Sequence, residues 1–367
     1  SNLFYHFIRS LRYGMTDQDV MIIFDAKGDY YQQFYREGDI IISNDDHGNV
    51  GWNLFEEIMV DDRHEENAME VTRFLFSEKI KKTSQPFFPN AARDLLTALI
   101  LHMIRNKNSQ IPKDNATLRA MINTFDVQAM KRILSRNTDL KGMISYIANE
   151  DSGQTMGVVS ELQQTIREIL IGKFKQHGNF SIRKQIRKKG KKVIFIEFDL
   201  GIGKTLSPIY SLIIDLAIKE ALCRSEASGN IYFVLDEFRL LSPLEHMDNG
   251  VNFGRSLGAK FLVGVQNVEQ VYDVYGEKAG MSILSGLSTL FAFRLNDAVS
   301  REFVKARAGK SLKMMTYMSK VQTKGIVESI RDASVIEDWD IVGLKTGEMI
   351  VQSLESEPFR FKVNQYK

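Results

Sequence analysis

A single cysteine, Cys223, stands in a chain of 367 residues. That excludes a disulfide framework and points to a reducing compartment. Cys223 falls in an apolar helical run, where a core thiol is the simpler expectation than a nucleophile. An excess of one charge is missing too. With 48 basic and 46 acidic residues the net charge is +2, so any basic surface must be local. No apolar run approaches the roughly 18 residues of a membrane-crossing helix, and no secretory leader is present. The chain therefore reads as soluble, without internal repeats or low-complexity tracts. It also lacks an initiator methionine: Ser1-Asn2-Leu3-Phe4 run straight into a helical period, as in a piece of something longer.

What is present suits a globular protein. A hydrophobic fraction of 44% supports a proper core, and the length fits two domains or one large one. Leu3, Phe4, Phe7, Ile8 and Leu11 recur at helical spacing up to Gly14. Val20 to Asp25 reads as a buried strand ending in a carboxylate, Tyr30 to Arg36 as a short helix, and Asp39 to Ser43 as another strand. From His64 to about Lys175 only helical periods occur, with Asn115 and Asp126 as expected N-caps. Strands return at 193–198, 231–235, 261–266 and 290–294, alternating with helices. A closing pair at 349–352 and 359–363 suggests an edge hairpin. Alternating strands and helices predict a parallel α/β sheet, here interrupted by an all-α insertion. The expected domains are 1–63 with 192–367, and 64–191.

The most informative stretch is Ile231-Tyr232-Phe233-Val234-Leu235-Asp236-Glu237. A buried strand ending in two acids at its carboxyl end fits an open α/β sheet that binds ligands there. Such a pair suits Mg-nucleotide hydrolysis, one acid holding Mg²⁺ through water and the next polarising the attacking water. This is the Walker B pattern. Its usual companion is incomplete. Gly201-Ile202-Gly203-Lys204-Thr205 resembles the end of a phosphate loop, but the first glycine of G-x-x-x-x-G-K-[ST] would fall at Phe198. Pro208 follows soon after, and the stretch reads as a decoy. Ser1 is either the last residue of a phosphate loop lying upstream, and then a ligand of nucleotide and Mg²⁺, or the remnant of a cleaved tag.

Between Lys173 and Lys192 nine basic residues and no acid occur. A solvated linker is one reading. The other is phosphate contact with DNA through Arg183, Lys184, Arg187, Lys188 and Lys189.

The order of these features resembles the conjugative coupling proteins, the TraD/TraG-like ATPases of type IV secretion, relatives of the septal DNA translocases. Asp25-Ala26-Lys27-Gly28-Asp29 is similar to their Asp-Pro-Lys-Gly-Glu segment, with Ala26 for the proline and Asp29 for the glutamate. Phe87-Phe88-Pro89-Asn90-Ala91-Ala92-Arg93 looks like the family's lead into a long helix. Gly254-Arg255-Ser256-Leu257-Gly258, then a strand ending in Gln266, and the tail from Val335 to Val363 also fit.

The resemblance implies a RecA-like P-loop NTPase sheet with helices on both faces and an inserted all-α domain. It implies ATP and Mg²⁺ as cofactors, with Asp236 on the metal, Glu237 on the water, Gln266 sensing the γ-phosphate and Arg255 acting as an arginine finger toward the next subunit. Asp25 and Lys27 are carried along as nucleotide-site candidates. The implied partners are a relaxase-bound DNA, single- or double-stranded, the secretion channel, and further copies in a homo-hexamer at the cytoplasmic face of the bacterial inner membrane. The stretch by itself, without a complete phosphate loop, is expected to be inactive. Two other readings stay open: a soluble DNA pump of the septal or repair type, and a non-hydrolysing recruitment adaptor.

Overall fold

A computed structural model describes residues 2–106, 110–223, 228–318 and 326–366. The chain divides into two compact units, Leu11–Gly264, and Ser1–Ser10 with Val265–Lys367. This division falls elsewhere than the expected boundaries near 63 and 191: the helical stretch belongs with the sheet in the larger unit. No helix among the described residues is long and apolar enough to cross a membrane.

The larger unit is built on five strands: β1 (Val20–Asp25), β2 (Ile40–Ile42), β3 (Lys192–Glu197), β4 (Ile231–Leu235) and β5 (Ala259–Val263). Their order is β2-β3-β1-β4-β5, and every neighbouring pair is parallel. All side chains of β1 are buried, as an unbroken Val-Met-Ile-Ile-Phe run requires when a strand is covered on both faces. Because the strands are parallel, their carboxyl ends share one rim, carrying Asp25, Glu197, Asp236 and Gly264. The last strand is shorter than expected: it stops at Val263, before Gln266.

Between β2 and β3 the chain makes its helical excursion. The long helices are His64–Lys82, Phe87–Arg105 and Gly153–Ile169. Within the run read as helical throughout, Thr138–Ile147 lies in 3₁₀ turns. Asp126 caps its helix as expected. At the preceding helix the cap is Asp114, whose carboxylate accepts from Thr117 N–H. Asn115 is instead buried, its amide bridging the carbonyls of Trp52 and Phe174 and accepting from Leu54 N–H.

The two ends of the excursion are tied together. The carboxylate of Glu57, 1% exposed, accepts from Trp52 Nε1–H, Ser181 Oγ–H and the N–H groups of Ile182 and Arg183. Phe180 N–H donates to Gly51 O. Burial pushes the Glu57 carboxyl up, against the pull of these donors.

The excursion returns through the helix Ile182–Lys188. Here the basic run meets the fold. Arg183 is wholly buried, donating to Glu220, to Asp61 and to the Glu57 carbonyl. Arg187 pairs with the same two acids. Lys189 is buried with its amine on Ser228, and Lys184 pairs with Glu56. The reading of this run as a continuous phosphate-contact surface is therefore corrected. Arg183 and Lys189 have no access to a duplex, because the fold spends their charge on buried acids and carbonyls; Lys184, Arg187 and Lys188 are exposed. Cys223 is likewise exposed, at the end of the helix Gly203–Leu222, and is not a core thiol.

The smaller unit carries β6 (Leu290–Ala292), β7 (Lys310–Met318), β8 (Ile326–Ser334), β9 (Glu348–Gln352) and β10 (Phe359–Lys362). The last two pair antiparallel as expected, and β6 joins them in the order β10-β9-β6. The β7–β8 ribbon was not anticipated. The unit's own core gathers Ala292, Val304, Ile336, Ile341, Leu344 and Ile350.

Candidate functional site

The acids of the β4 motif stand where the strand pattern put them. Leu235 ends the strand with its side chain buried, and Asp236 and Glu237 follow half-buried on the rim. A 3₁₀ turn, Phe238–Leu240, comes next. Arg239 Nε lies 3.6 Å from Glu237 Oε2.

The loop after β5 is laced onto this turn. Gly264 N–H donates to Leu235 O at 2.8 Å, and Phe238 N–H to Gly264 O at 3.3 Å. A side-chain carbon at Gly264 would lie 2.8 Å from Asp236 Oδ1, and closer still to the Asp236 carbonyl oxygen. Only glycine fits there. Sequence reasoning had placed Gly264 inside a strand; an isolated glycine in a strand pattern is a signal of such close approach.

On the other side stands the segment after β1. Asp25 is 1% exposed and folds the turn that follows it: Oδ2 accepts from Tyr31 N–H at 2.9 Å and Oδ1 from Lys27 N–H at 3.3 Å. Burial pushes its carboxyl up, against the N–H groups of Tyr31, Lys27 and Gly28. Gly28, at φ +73°, is left-handed and starts the short helix Asp29–Phe34. Lys27 is exposed. The turn delivers a residue the sequence analysis overlooked: Tyr30, 4% exposed, whose hydroxyl donates to Asp236 Oδ2 at 2.5 Å. Nothing local in the sequence marks it, because β1 and β4 become neighbours only in the sheet, where Phe24 pairs with Leu235. Further along the rim, Glu197 is hydrogen-bonded to His47.

The remaining predicted residues are placed as follows. Gly203 begins the helix Gly203–Leu222, and a side-chain carbon there would overlap the Phe198 ring. Ring packing accounts for this glycine, in keeping with its reading as a decoy. Arg255 is exposed in the 3₁₀ turn Gly254–Leu257, just before β5. It therefore sits at the amino end of β5, opposite in strand direction to the acids. The span is about 16 Å, at ~3.3 Å for each of five residues, so Arg255 does not share the rim that carries the acids. Gln266 is exposed in the smaller unit. Ser1 lies outside the described residues.

Does the donor set suit Mg²⁺? Among the described residues no group of three or more His, Cys, Asp or Glu converges as a metal cage. Mg²⁺ keeps several waters and commonly takes one or two carboxylates plus substrate phosphates. The single anchored carboxylate of Asp236, with Glu237 beside it, fits that mode.

A parallel sheet with a Walker B acid pair at its carboxyl rim and a helical excursion defines the class: an α/β, RecA-like P-loop NTPase fold with an inserted helical region. Residues 1–333 match the family described as the type IV secretion-system coupling protein DNA-binding domain, and the chain belongs to that family. Among curated relatives, coupling protein TraD of Escherichia coli (strain K12) is 22% identical over 82% of this chain and 41% of its own length. VirD4, the type IV secretion system-coupling protein of Bartonella henselae (strain ATCC 49882 / DSM 28221 / CCUG 30454 / Houston 1), is 24% identical over 73% of this chain and 43% of its own. The chain thus spans about two fifths of the length of these relatives. Among solved structures, the unbound bacterial conjugative coupling protein TrwB superposes with a TM-score of 0.79 at 18% identity, covering 100% of this chain and 81% of that one. TrwB in complex with ADP and Mg²⁺ gives 0.73 at 18% identity with the same coverage.

Proposed function

We propose that this chain is the ATP-hydrolysing motor region of a type IV secretion coupling protein. It would work at the cytoplasmic face of the bacterial inner membrane, as a homo-hexamer, recruiting relaxase-bound DNA and passing it to the secretion channel. The observation that carries this reading is the anchored Asp236-Glu237 pair on the carboxyl rim of a sheet shared with TrwB, a protein solved with an ATP analogue and with ADP and Mg²⁺.

In this reading Asp236 holds Mg²⁺ through water and Glu237 orients the attacking water. The bound ion supplies charge neutralisation on the phosphate oxygens. Arg255 reaches the nucleotide of a neighbouring copy. The helical stretch from Ala68 to Phe174 is the surface that faces the DNA-processing partners. Asp25 and Lys27 serve through the turn between them and Tyr30, and Ser1 would be the last residue of the phosphate loop. Of the five DNA-contact candidates, Lys184, Arg187 and Lys188 are left to meet DNA.

The test uses the full-length protein. Glu237→Gln should nearly abolish ATP turnover while ATP binding persists. Arg255→Ala, inactive by itself, should regain turnover when mixed with Glu237→Gln subunits, because some interfaces then pair an intact Glu237 with an intact Arg255. Near-normal turnover in Glu237→Gln would remove Glu237 from the site. Mixtures that assemble but stay inactive would remove Arg255. Absence of turnover in the unsubstituted protein would favour the adaptor reading.

A further inference from the structure

We infer that Tyr30 is a positioning residue for the metal-binding carboxylate, its hydroxyl setting the orientation of Asp236 and hence the affinity of the site for a divalent cation. The inference rests on the nucleotide-hydrolysing reading of the Asp236-Glu237 pair and adds to it a residue from a different strand end.

The geometry is specific. Tyr30 is 4% exposed, and its hydroxyl meets Asp236 Oδ2 at 2.5 Å. A phenol O–H has one proton to give, and here it goes to a carboxylate oxygen. Charge-assisted bonds of this kind are the short, strong ones. The other oxygen, Oδ1, lies against the Gly264 backbone, close enough that a side-chain carbon at Gly264 would sit 2.8 Å from it. One oxygen is held by the phenol, and the other faces a position where only glycine leaves it room, so the phenol restricts rotation of the carboxylate.

That matters because Mg²⁺ demands near-ideal octahedral geometry and keeps its waters. A carboxylate that grips the ion through water must present its remaining lone pairs in a set direction. Groups hydrogen-bonded to metal-holding carboxylates typically contribute about 10–100-fold in metal affinity. The turn from Asp25 to Asp29 then has a purpose beyond its own stability. Asp25 folds it, Gly28 allows it, and its product is a buried tyrosine aimed at the neighbouring strand end.

Tyr30→Phe removes the hydroxyl and keeps the ring that packs. In the full-length protein, Mn²⁺ binding in the presence of saturating ADP, read by electron paramagnetic resonance, should weaken roughly 10-fold or more. The Mg²⁺ concentration for half-maximal ATP turnover should rise in proportion, while turnover at saturating Mg²⁺ stays near that of the unsubstituted protein. Metal-free ADP affinity should be unchanged, which reports an intact site. Unchanged Mn²⁺ affinity, or a loss of maximal turnover with no shift in metal dependence, would overturn the inference. Asp236→Asn separates the two readings. If it weakens Mn²⁺ binding and Tyr30→Phe does not, the role of Tyr30 falls and the site stands. If Asp236→Asn leaves Mn²⁺ binding and turnover intact, both fall.

Discussion

Arg183 offers a sharp test of how the helical excursion is held. Its guanidinium is wholly buried and serves three acceptors: Glu220 Oε2 at 2.9 Å, Asp61 Oδ2 at 3.3 Å and the Glu57 carbonyl at 3.1 Å. Arg183→Ala would leave Glu220, 5% exposed, with Arg187 as its remaining cation. Removing one partner of a buried ion pair costs about 3–5 kcal/mol, since the other charge stays buried. Trp52, 2% exposed and bonded to Glu57, is a natural fluorescence reporter of this region. With a urea slope of ~3 kcal/mol per molar, the midpoint should fall by about 1 M or more. Arg183→Lys should lie between, because an ammonium cannot serve three acceptors as a planar fork does. An acid-side signature accompanies it. Although burial raises the Asp61 carboxyl, bonds from Arg63 N–H and the Asn67 amide and the charges of Arg183 and Arg63 bring it down to about 2. A depressed carboxyl contributes stability above its unfolded value near 3.8, lost as pH falls toward 2. Arg183→Ala should shrink that loss. A midpoint shift below about 0.3 M, less than ~1 kcal/mol at the same slope, would refute the reasoning. So would a change in the salt dependence of DNA binding without loss of stability.

Three further outcomes are expected. Gly264→Ala should lower both the stability of the larger unit and ATP turnover, because the added carbon collides with Asp236; parallel urea and turnover measurements check it. His246 Nδ1–H donates to Asp215 Oδ2 at 2.8 Å, and its Nε2 lies 3.5 Å from Glu70. Burial lowers its basicity, but these acids raise it above the ordinary histidine value on balance. Its contribution is therefore full below about pH 6.5 and is lost as pH rises through the raised value, a trend that His246→Asn should abolish in pH-dependent melting. Finally, Lys184→Ala with Lys188→Ala should flatten the slope of log K against log salt for DNA by up to roughly 0.7–0.9 per lost phosphate contact, measured by fluorescence anisotropy.

The strands of the sheet and the long helices were legible because their patterns are local. Val20 to Asp25 is apolar throughout, and Leu95, Leu96, Leu99, Ile100 and Met103 repeat at helical spacing. The acid pair was legible because it ends such a strand. The β7–β8 ribbon escaped because it buries no apolar side chain among those described: Leu312, Met314, Met315 and Ile330 are all largely exposed. The basic run misled because composition does not reveal partners. Asp61 and Glu220, which neutralise Arg183, lie far from it in sequence. Tyr30 was invisible for the same reason, and Gly264 showed only as an isolated glycine in a strand pattern, since their partners depend on β4 having β1 and β5 as neighbours.

The strand order also fixes a timetable. In the sheet β1 touches only β3 and β4, and β2 touches only β3. Val20 pairs with Lys192, so the central strand leaves the ribosome long before any partner exists for it. At ~5–20 residues per second of synthesis, the wait is on the order of ten to thirty seconds. During that time Val20-Met21-Ile22-Ile23-Phe24 is an unpaired apolar β segment, the kind of sequence that aggregates when left exposed. The helices made in the interval can form from local contacts while it waits. A nascent chain arrested before residue 192 should therefore depend on chaperone holding, and one arrested beyond residue 263 should not.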